Sequence, residues 1–189
     1  MEAEGINVQY TSAITEEQAR RFLSQMKEAM EEESEYYYFA DQFEAMFEVA
    51  QENAAYDGSP FTSPDGYAFL VVNDDIKGYV FIGVNDQELA KDESPDQWAH
   101  AYIWELYLLP TVREKGWSKA LIQHALRLHM GEIRIFQASQ EARPRPLILG
   151  AEAIDLEADG YFEAIGFRLL AIDQNESTWI IECETLLNA

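Results

Sequence analysis

Apolar and polar positions along the chain divide it into short alternating runs and longer helical stripes. Ile6, Val8 and Tyr10 alternate and predict a short first strand. Thr15, followed by Glu16, Glu17 and Gln18, reads as a capping box that opens a helix to about Met30. Tyr38, Phe39, Phe43, Met46, Phe47 and Ala50 recur at helical spacing, which predicts a second helix from about Ser34 to Asn53. Gly, Ser, Pro and Asp between Asp57 and Gly66 mark a loop. Tyr67 to Val72 and Gly78 to Val84 are β-rich runs on either side of Asn73, Asp74 and Asp75, a hairpin pattern. Asn85 to Gln97 is a polar connection. Trp98 to Leu109 reads as a long strand that is apolar on both faces, as at the centre of a covered sheet. Trp117 to Met130 predicts a third helix, and Glu132 to Ala138 another strand. The mostly polar residues Ser139 to Pro146 then leave the sheet. Asp155 to Ile165 forms a short helix ended by Gly166. Phe167 to Ile172 and Thr178 to Glu184 close the chain with a second hairpin around Asp173, Gln174 and Asn175. The order β-αα-βββ-α-β-α-ββ implies an α/β domain with a mixed sheet. With no internal repeat or linker, 1–189 reads as a single domain.

Composition narrows the functional classes. The chain has 189 residues, 48% of them hydrophobic and 13% aromatic, enough for a substantial core. Its 35 acidic and 13 basic residues give a net charge of −22. Repulsion from phosphate then argues against nucleic-acid or anionic-membrane partners and favours cationic ones. Cys183 stands alone, which excludes an internal disulfide and fits a reducing cytoplasm. The acidic N-terminal run lacks the pattern of a signal peptide, and no apolar run is long enough to span a bilayer.

One segment departs from the acidic background. Between Arg113 and Arg145, the basic residues Arg113, Lys115, Lys119, Arg127, Arg134, Arg143 and Arg145 face only Glu114, Glu132 and Glu141. The segment has a net charge of +4, so the rest of the chain sums to −26. At its start an apolar strand ends at Pro110, a charged turn follows, and Gly116 opens a helix. A turn of this kind leaves backbone N–H groups pointing outward at the positive end of a helix dipole, an arrangement suited to phosphate.

Arg113-Glu114-Lys115-Gly116-Trp117-Ser118 resembles the pyrophosphate loop of the GCN5-related N-acetyltransferase superfamily, Gln/Arg-x-x-Gly-x-Gly/Ala. Ser118 departs from the small final residue. The preceding Ile103 to Pro110 is similar to the strand before that loop in polyamine-acetyltransferase-like members. Asp155 to Phe167 resembles a second motif, Asn-x-x-Ala-x-x-Phe/Tyr-Tyr-x-x-x-Gly-Phe, matching at Ala158, Tyr161, Gly166 and Phe167. Asp155 replaces the Asn. Phe162 stands where a Tyr protonates the departing thiolate; the neighbouring Tyr161 is the catalytic candidate in its place, a poor substitute because it projects about 100° away round the helix. The stretch from Ala138 to Asp155 reads as longer than in typical members, with Pro144 to Leu149 as an insertion.

The resemblance implies the acyl-CoA N-acyltransferase fold, a mixed and mostly antiparallel sheet of about seven strands flanked by helices. It also implies direct acetyl transfer from acetyl-CoA to an amine, without a metal. Arg113, Glu114, Lys115, Gly116, Trp117, Ser118 and Lys119 would hold the pyrophosphate, with Asp155 and Phe162 contributing from the second motif. Tyr107, Leu108 and Leu109 would pair with the pantetheine arm and offer N–H groups to the thioester oxygen. The base that takes the ammonium proton is not carried by any motif. Glu105, a carboxylate on an otherwise apolar strand, is the first candidate, against a pairing with Lys or Arg or a place in water. Tyr102 and His100 are weaker alternatives.

The remaining conspicuous residues have plainer readings. His124 and His129 are five apart on one helix, so they read as surface residues and not as a metal pair. Cys183 reads as a buried packing residue on a late strand, and Asp74-Asp75 as a turn. Glu31 to Tyr38, between the first two helices, is either a solvated junction or an acceptor wall in which carboxylates with Tyr36, Tyr37 and Tyr38 attract an alkylammonium. The leading function is acetylation of a small cationic amine, polyamine-like or related, with a protein N-terminus as a close variant. A catalytically weak or inactive acyl-CoA-binding module is the alternative, motivated by Phe162 and Ser118. An acidic nucleic-acid mimic ranks last. A homodimer is left open.

Overall fold

A computed structural model describes residues 6–33, 38–57, 61, 65–84, 99–140, 146–153, 156–173 and 176–189. The elements are β1 (Val8–Thr11), α1 (Glu16–Glu33), α2 (Tyr38–Asp57), β2 (Tyr67–Val72), β3 (Asp75–Val84), β4 (Ala101–Leu108), a 3-10 turn (Pro110–Val112), α3 (Trp117–Gln140), β5 (Ile148–Ala153), α4 (Leu156–Ala164), β6 (Arg168–Asp173), β7 (Glu176–Glu182) and α5 (Cys183–Asn188). The strands form one seven-stranded mixed sheet in the order β1-β2-β3-β4-β5-β7-β6. Among the described residues no helix is long and apolar enough to cross a membrane.

Two compact units can be distinguished. One comprises Met1–Phe81 with Glu105–Ala125, the other Ile82–Trp104 with Leu126–Ala189. In the first unit, Thr15 caps α1 as its sequence requires. The Gln18 N–H donates to the Thr15 hydroxyl (3.2 Å), and the Thr15 N–H donates to the Gln18 side-chain oxygen (2.9 Å), so two orphan donors are met reciprocally. Ala19, Phe22, Met26 and Met30 form the buried stripe of α1, and Ala40, Phe43, Met46, Phe47 and Ala50 that of α2. β1, β2 and β3 pair antiparallel. Val72 faces Asp75 across Asn73 and Asp74, whose φ values of 50° and 67° make the two-residue turn that a right-twisted hairpin prefers. The Asp74-Asp75 pair is therefore turn chemistry, as expected. A bulge between Leu70 and Val71 leaves Lys77 as the extra residue of β3.

In the second unit β5 pairs parallel with β4 and antiparallel with β7, and β6 lies outside β7. The predicted strand from Glu132 to Ala138 is helix. α3 continues unbroken to Gln140, because Ile133 and Gln137, four apart, are buried while Ile135 is 74% exposed. Alternating Ile133 and Ile135 imitates a strand, but only the helical period satisfies burial. The strand in its place is β5, within the long link between Ala138 and Asp155, where no strand was expected. What reads as an insertion is thus partly sheet, since Ile148 and Leu149 belong to β5. β4 begins at Ala101 and not at Trp98, which lies outside the described residues. Its odd-numbered residues are buried, while on the other face Tyr102, Leu106 and Leu108 are half-buried and Trp104 is 42% exposed, so the covering expected on both faces is complete on one and partial on the other. Cys183 is fully buried but opens α5, where a strand was expected.

Candidate active site

The end of β4 and the start of α3 lie in the first unit. After Leu108 the 3-10 turn reverses the chain, with the N–H groups of Val112 and Arg113 bonded to the carbonyls of Leu109 and Pro110 (3.0 and 3.2 Å). The buried Val112 anchors the turn. Glu114 and Gly116 follow with φ of 62° and 72°. Two left-handed residues so close turn successive N–H groups outward, and the first N–H groups of α3 lack acceptors within the helix. An added Cβ at Gly116 would meet nothing within 4 Å, so the glycine serves backbone shape and leaves the loop face bare. Arg113 is held by a hydrogen bond from its Nε to the Leu108 carbonyl (3.1 Å), with its guanidinium 5.8 Å from the Tyr107 ring. The Lys115 ammonium lies 5.1 Å from the Trp117 ring. Trp117, Ser118 and Lys119 are half-buried on the first turn of α3. Bare amides, a helix N-terminus and nearby cations fit a diphosphate.

Pairing of β4 with β5 covers Ala101, Tyr102 and Ile103, and β4 runs on to Leu108. On the β3 side, the N–H of Leu109 donates to the Lys77 carbonyl (2.9 Å). A Cβ at Gly78 would stand 2.7 Å from the Tyr107 carbonyl oxygen, so only glycine permits this approach of β3 to β4.

Glu105 lies on the buried face of β4, 8% exposed. The Tyr79 hydroxyl donates to its Oε2 at 2.7 Å, and among the described residues no cation pairs with it. Burial raises its pKa above the ordinary carboxylate range, and the Tyr79 hydrogen bond draws it partly back. The phenols of Tyr67 and Tyr79 are pushed up as well, first by burial and then by the charge of Glu105. Of the alternatives for Glu105, pairing with Lys or Arg is not found among the described residues, and the side chain is buried from water. Tyr79 and Tyr67 were not legible as site residues. Nothing in an apolar strand marks a Tyr whose hydroxyl meets a carboxylate 26 positions away.

Other expected residues lie in the second unit. Tyr102 is half-buried, and a Cβ at Gly150 would fall 2.6 Å from its ring, so glycine in β5 makes room for the phenol. His100 is fully buried. Its Nδ1 accepts the Ile148 N–H (2.9 Å) and its Nε2 is 3.2 Å from Gln137, so the ring links the start of β4 to β5 and α3. The expected Asp155 lies outside the described residues, as do Ser34, Glu35, Tyr36 and Tyr37 of the acidic aromatic run. Tyr38 is 52% exposed at the start of α2. Tyr161 is half-buried, its ring 5.4 Å from that of Phe162. Phe162 is buried against Phe167 at 5.2 Å. This contact belongs to the helix stop. The Phe167 N–H bonds the Phe162 carbonyl and the Gly166 N–H the Glu163 carbonyl (both 3.0 Å), with Gly166 at φ 102°. That is a Schellman motif with its hydrophobic contact, so the Gly-Phe of the second motif terminates α4. His124 and His129 are half-buried and not on the surface. Among the described residues no group of three or more His, Cys, Asp or Glu could hold a metal.

A family model described as the Acetyltransferase (GNAT) family matches residues 26–145, which includes the loop but stops before Asp155. No curated protein sequence matches. Among solved structures, the chain is similar to the Bacillus subtilis N-acetyltransferase YlbP in complex with coenzyme A, at 13% identity and a TM-score of 0.58, covering 94% of this chain and 97% of the other. It is similar to a GNAT-family protein from Desulfovibrio desulfuricans at 14% identity and a TM-score of 0.56, covering 95% and 99%. It is also similar to the PaiA N-acetyltransferase of Thermoplasma acidophilum in complex with coenzyme A, at 10% identity and a TM-score of 0.54, covering 93% and 99%.

Proposed function

The chain belongs to the acetyltransferase (GNAT) family and is an N-acetyltransferase, and on that premise we propose that it transfers an acetyl group directly from acetyl-CoA to the primary amine of a small cationic acceptor. The observation that carries this reading is Glu105, a buried carboxylate without a cationic partner among the described residues, on the strand that leads into the Arg113–Ser118 loop. Bound acetyl-CoA would supply an acyl carbon already activated as a thioester. The backbone of Arg113 to Ser118, with Lys115 and Lys119, would hold the diphosphate. The main chain of Tyr107 to Leu109 would align the pantetheine arm and offer N–H groups where negative charge develops. A fixed donor of that kind is worth about 3–4 kcal/mol in favourable cases. Glu105 takes the ammonium proton and frees the nitrogen lone pair. Burial lifts it toward the working pH, where a base is most effective and contributes roughly 10²–10⁴-fold.

The acidic chain, with 35 Asp and Glu against 13 Lys and Arg, supports a cationic acceptor. Phe162 removes one source of a proton for the departing thiolate. Water can supply it, since a thiol of pKa about 8.5 leaves readily. Phe162 also supports a second reading, an acyl-CoA-binding module with little or no turnover. Calorimetric titration with acetyl-CoA, followed by thiol release over a panel of alkyl mono-, di- and polyamines, separates the two. Binding with release on cationic amines is expected. Binding without release on any amine favours the module, and no binding at roughly tens of micromolar overturns both.

A further inference from the structure

We propose that Tyr79 is the positioning residue of the base: its hydroxyl holds Oε2 of Glu105 so that the carboxylate stays ionised and Oε1 is the oxygen that takes the acceptor's proton. The inference rests on the reading of Glu105 as that base. Tyr79 is fully buried on β3, its ring 5.4 Å from Phe43, 5.9 Å from Tyr67 and 6.2 Å from Phe22, so the phenol has one direction in which to point. Gly78 lets β3 approach the Tyr107 carbonyl and brings the next residue within reach of Glu105. The hydroxyl has two acceptors, the carboxylate at 2.7 Å and the Phe39 carbonyl at 3.4 Å, and the nearer, charged one receives the hydrogen bond.

Among the described residues, the titratable groups that interact with Glu105 are phenols. Tyr79 comes from β3 and Tyr67 from β2, and Tyr38 of α2 acts on both of those phenols. Among the described residues, no Lys or Arg offsets the charge. A carboxyl so buried without a donor would stay protonated and could not act as a base. Tyr79 opposes that tendency, and its own acidity is suppressed by the same burial, so it donates without losing its proton. In the step itself the ammonium N–H bond breaks, Oε1–H forms, and the nitrogen keeps the electron pair with which it attacks the thioester carbon. Glu105 then returns the proton to water, and Tyr79 keeps its own throughout.

The test is kcat/KM for thiol release from acetyl-CoA with an alkyl diamine, across pH 5.5 to 9.5, for the wild type, Tyr79→Phe and Glu105→Gln. Acetyl-CoA affinity and thermal melting are recorded for each. Tyr79→Phe keeps the ring and should move the acidic limb to higher pH. Activity below the limb should be about tenfold lower or more, approaching the wild type near pH 9, with acetyl-CoA affinity unchanged. Incorporating 3,5-difluorotyrosine at position 79 strengthens the donor without changing the packing and should move the limb the other way. A loss that is uniform across pH, or a limb that neither variant moves, beside an inactive Glu105→Gln, overturns the inference on Tyr79 alone. Near-normal activity in Glu105→Gln overturns the base reading itself, and with it any part of Tyr79 in turnover.

Discussion

Glu105→Gln should abolish turnover and, as pH rises, shift the stability difference from the wild type progressively in the variant's favour. Burial raises the carboxyl above its ordinary value of 4.5 in the folded state, so the folded chain binds this proton more tightly than the unfolded chain does. The wild type therefore loses stability as pH climbs from 4.5 through the folded value, and the loss is complete above it. Each unit by which the folded value exceeds the unfolded one corresponds to about 1.4 kcal/mol. For a chain of 189 residues, about 1 kcal/mol moves Tm by roughly 2–4 °C. The glutamine carries no such proton, but it buries an amide donor at a cost of about 1–3 kcal/mol that does not depend on pH. The informative quantity is therefore the difference in Tm or urea-unfolding free energy between the two proteins, measured from pH 5 to pH 9. All other titrating groups cancel in it. The expected curve rises in favour of the variant and then levels. A flat difference, or one that falls with pH, would refute the reasoning, since it would mean that the folded carboxyl is not lifted.

Gly116→Trp should reduce acetyl-CoA binding below detection by calorimetry while the protein still melts cooperatively. The indole would cover the loop amides, and the left-handed φ of 72° costs a Cβ-bearing residue about 1–2 kcal/mol. Unchanged affinity would show that the loop is not the diphosphate site. His100→Phe should lower the melting temperature by leaving the Ile148 N–H and Gln137 without their ring partner, about 1–3 kcal/mol, as measured by thermal denaturation. Burial pushes the Cys183 thiol up to about 12, so at pH 8 a thiol reagent should react with the native protein far more slowly than in denaturant, where the chain's single Cys becomes available.

Whatever a few neighbouring residues can decide was legible in the sequence. Thr15 and Gln18 cap α1 because the unpaired N–H groups of a helix start must be met within one turn. Asn73 and Asp74 take the left-handed conformations of a two-residue hairpin, and Gly166 with Phe167 stops α4 by backbone geometry. The Arg113–Ser118 loop belongs to the same class as far as its backbone goes: a turn with Gly116 left-handed leads into the helix that starts at Trp117. Tertiary structure decided the rest. Apolar positions from Glu132 to Ala138 satisfy a strand and a helix alike, and only the burial of Ile133 and Gln137 against an exposed Ile135 chose the helix and moved the strand to Ile148–Ala153. Glu105 could be singled out from its apolar surroundings, but its partner could not. The pairing with Tyr79 depends on Gly78 admitting β3 beside β4 and on the rings that exclude water from both groups. Backbone conformation is written within a turn or two of chain. Desolvation, and with it the chemistry of a carboxylate, belongs to everything packed around it.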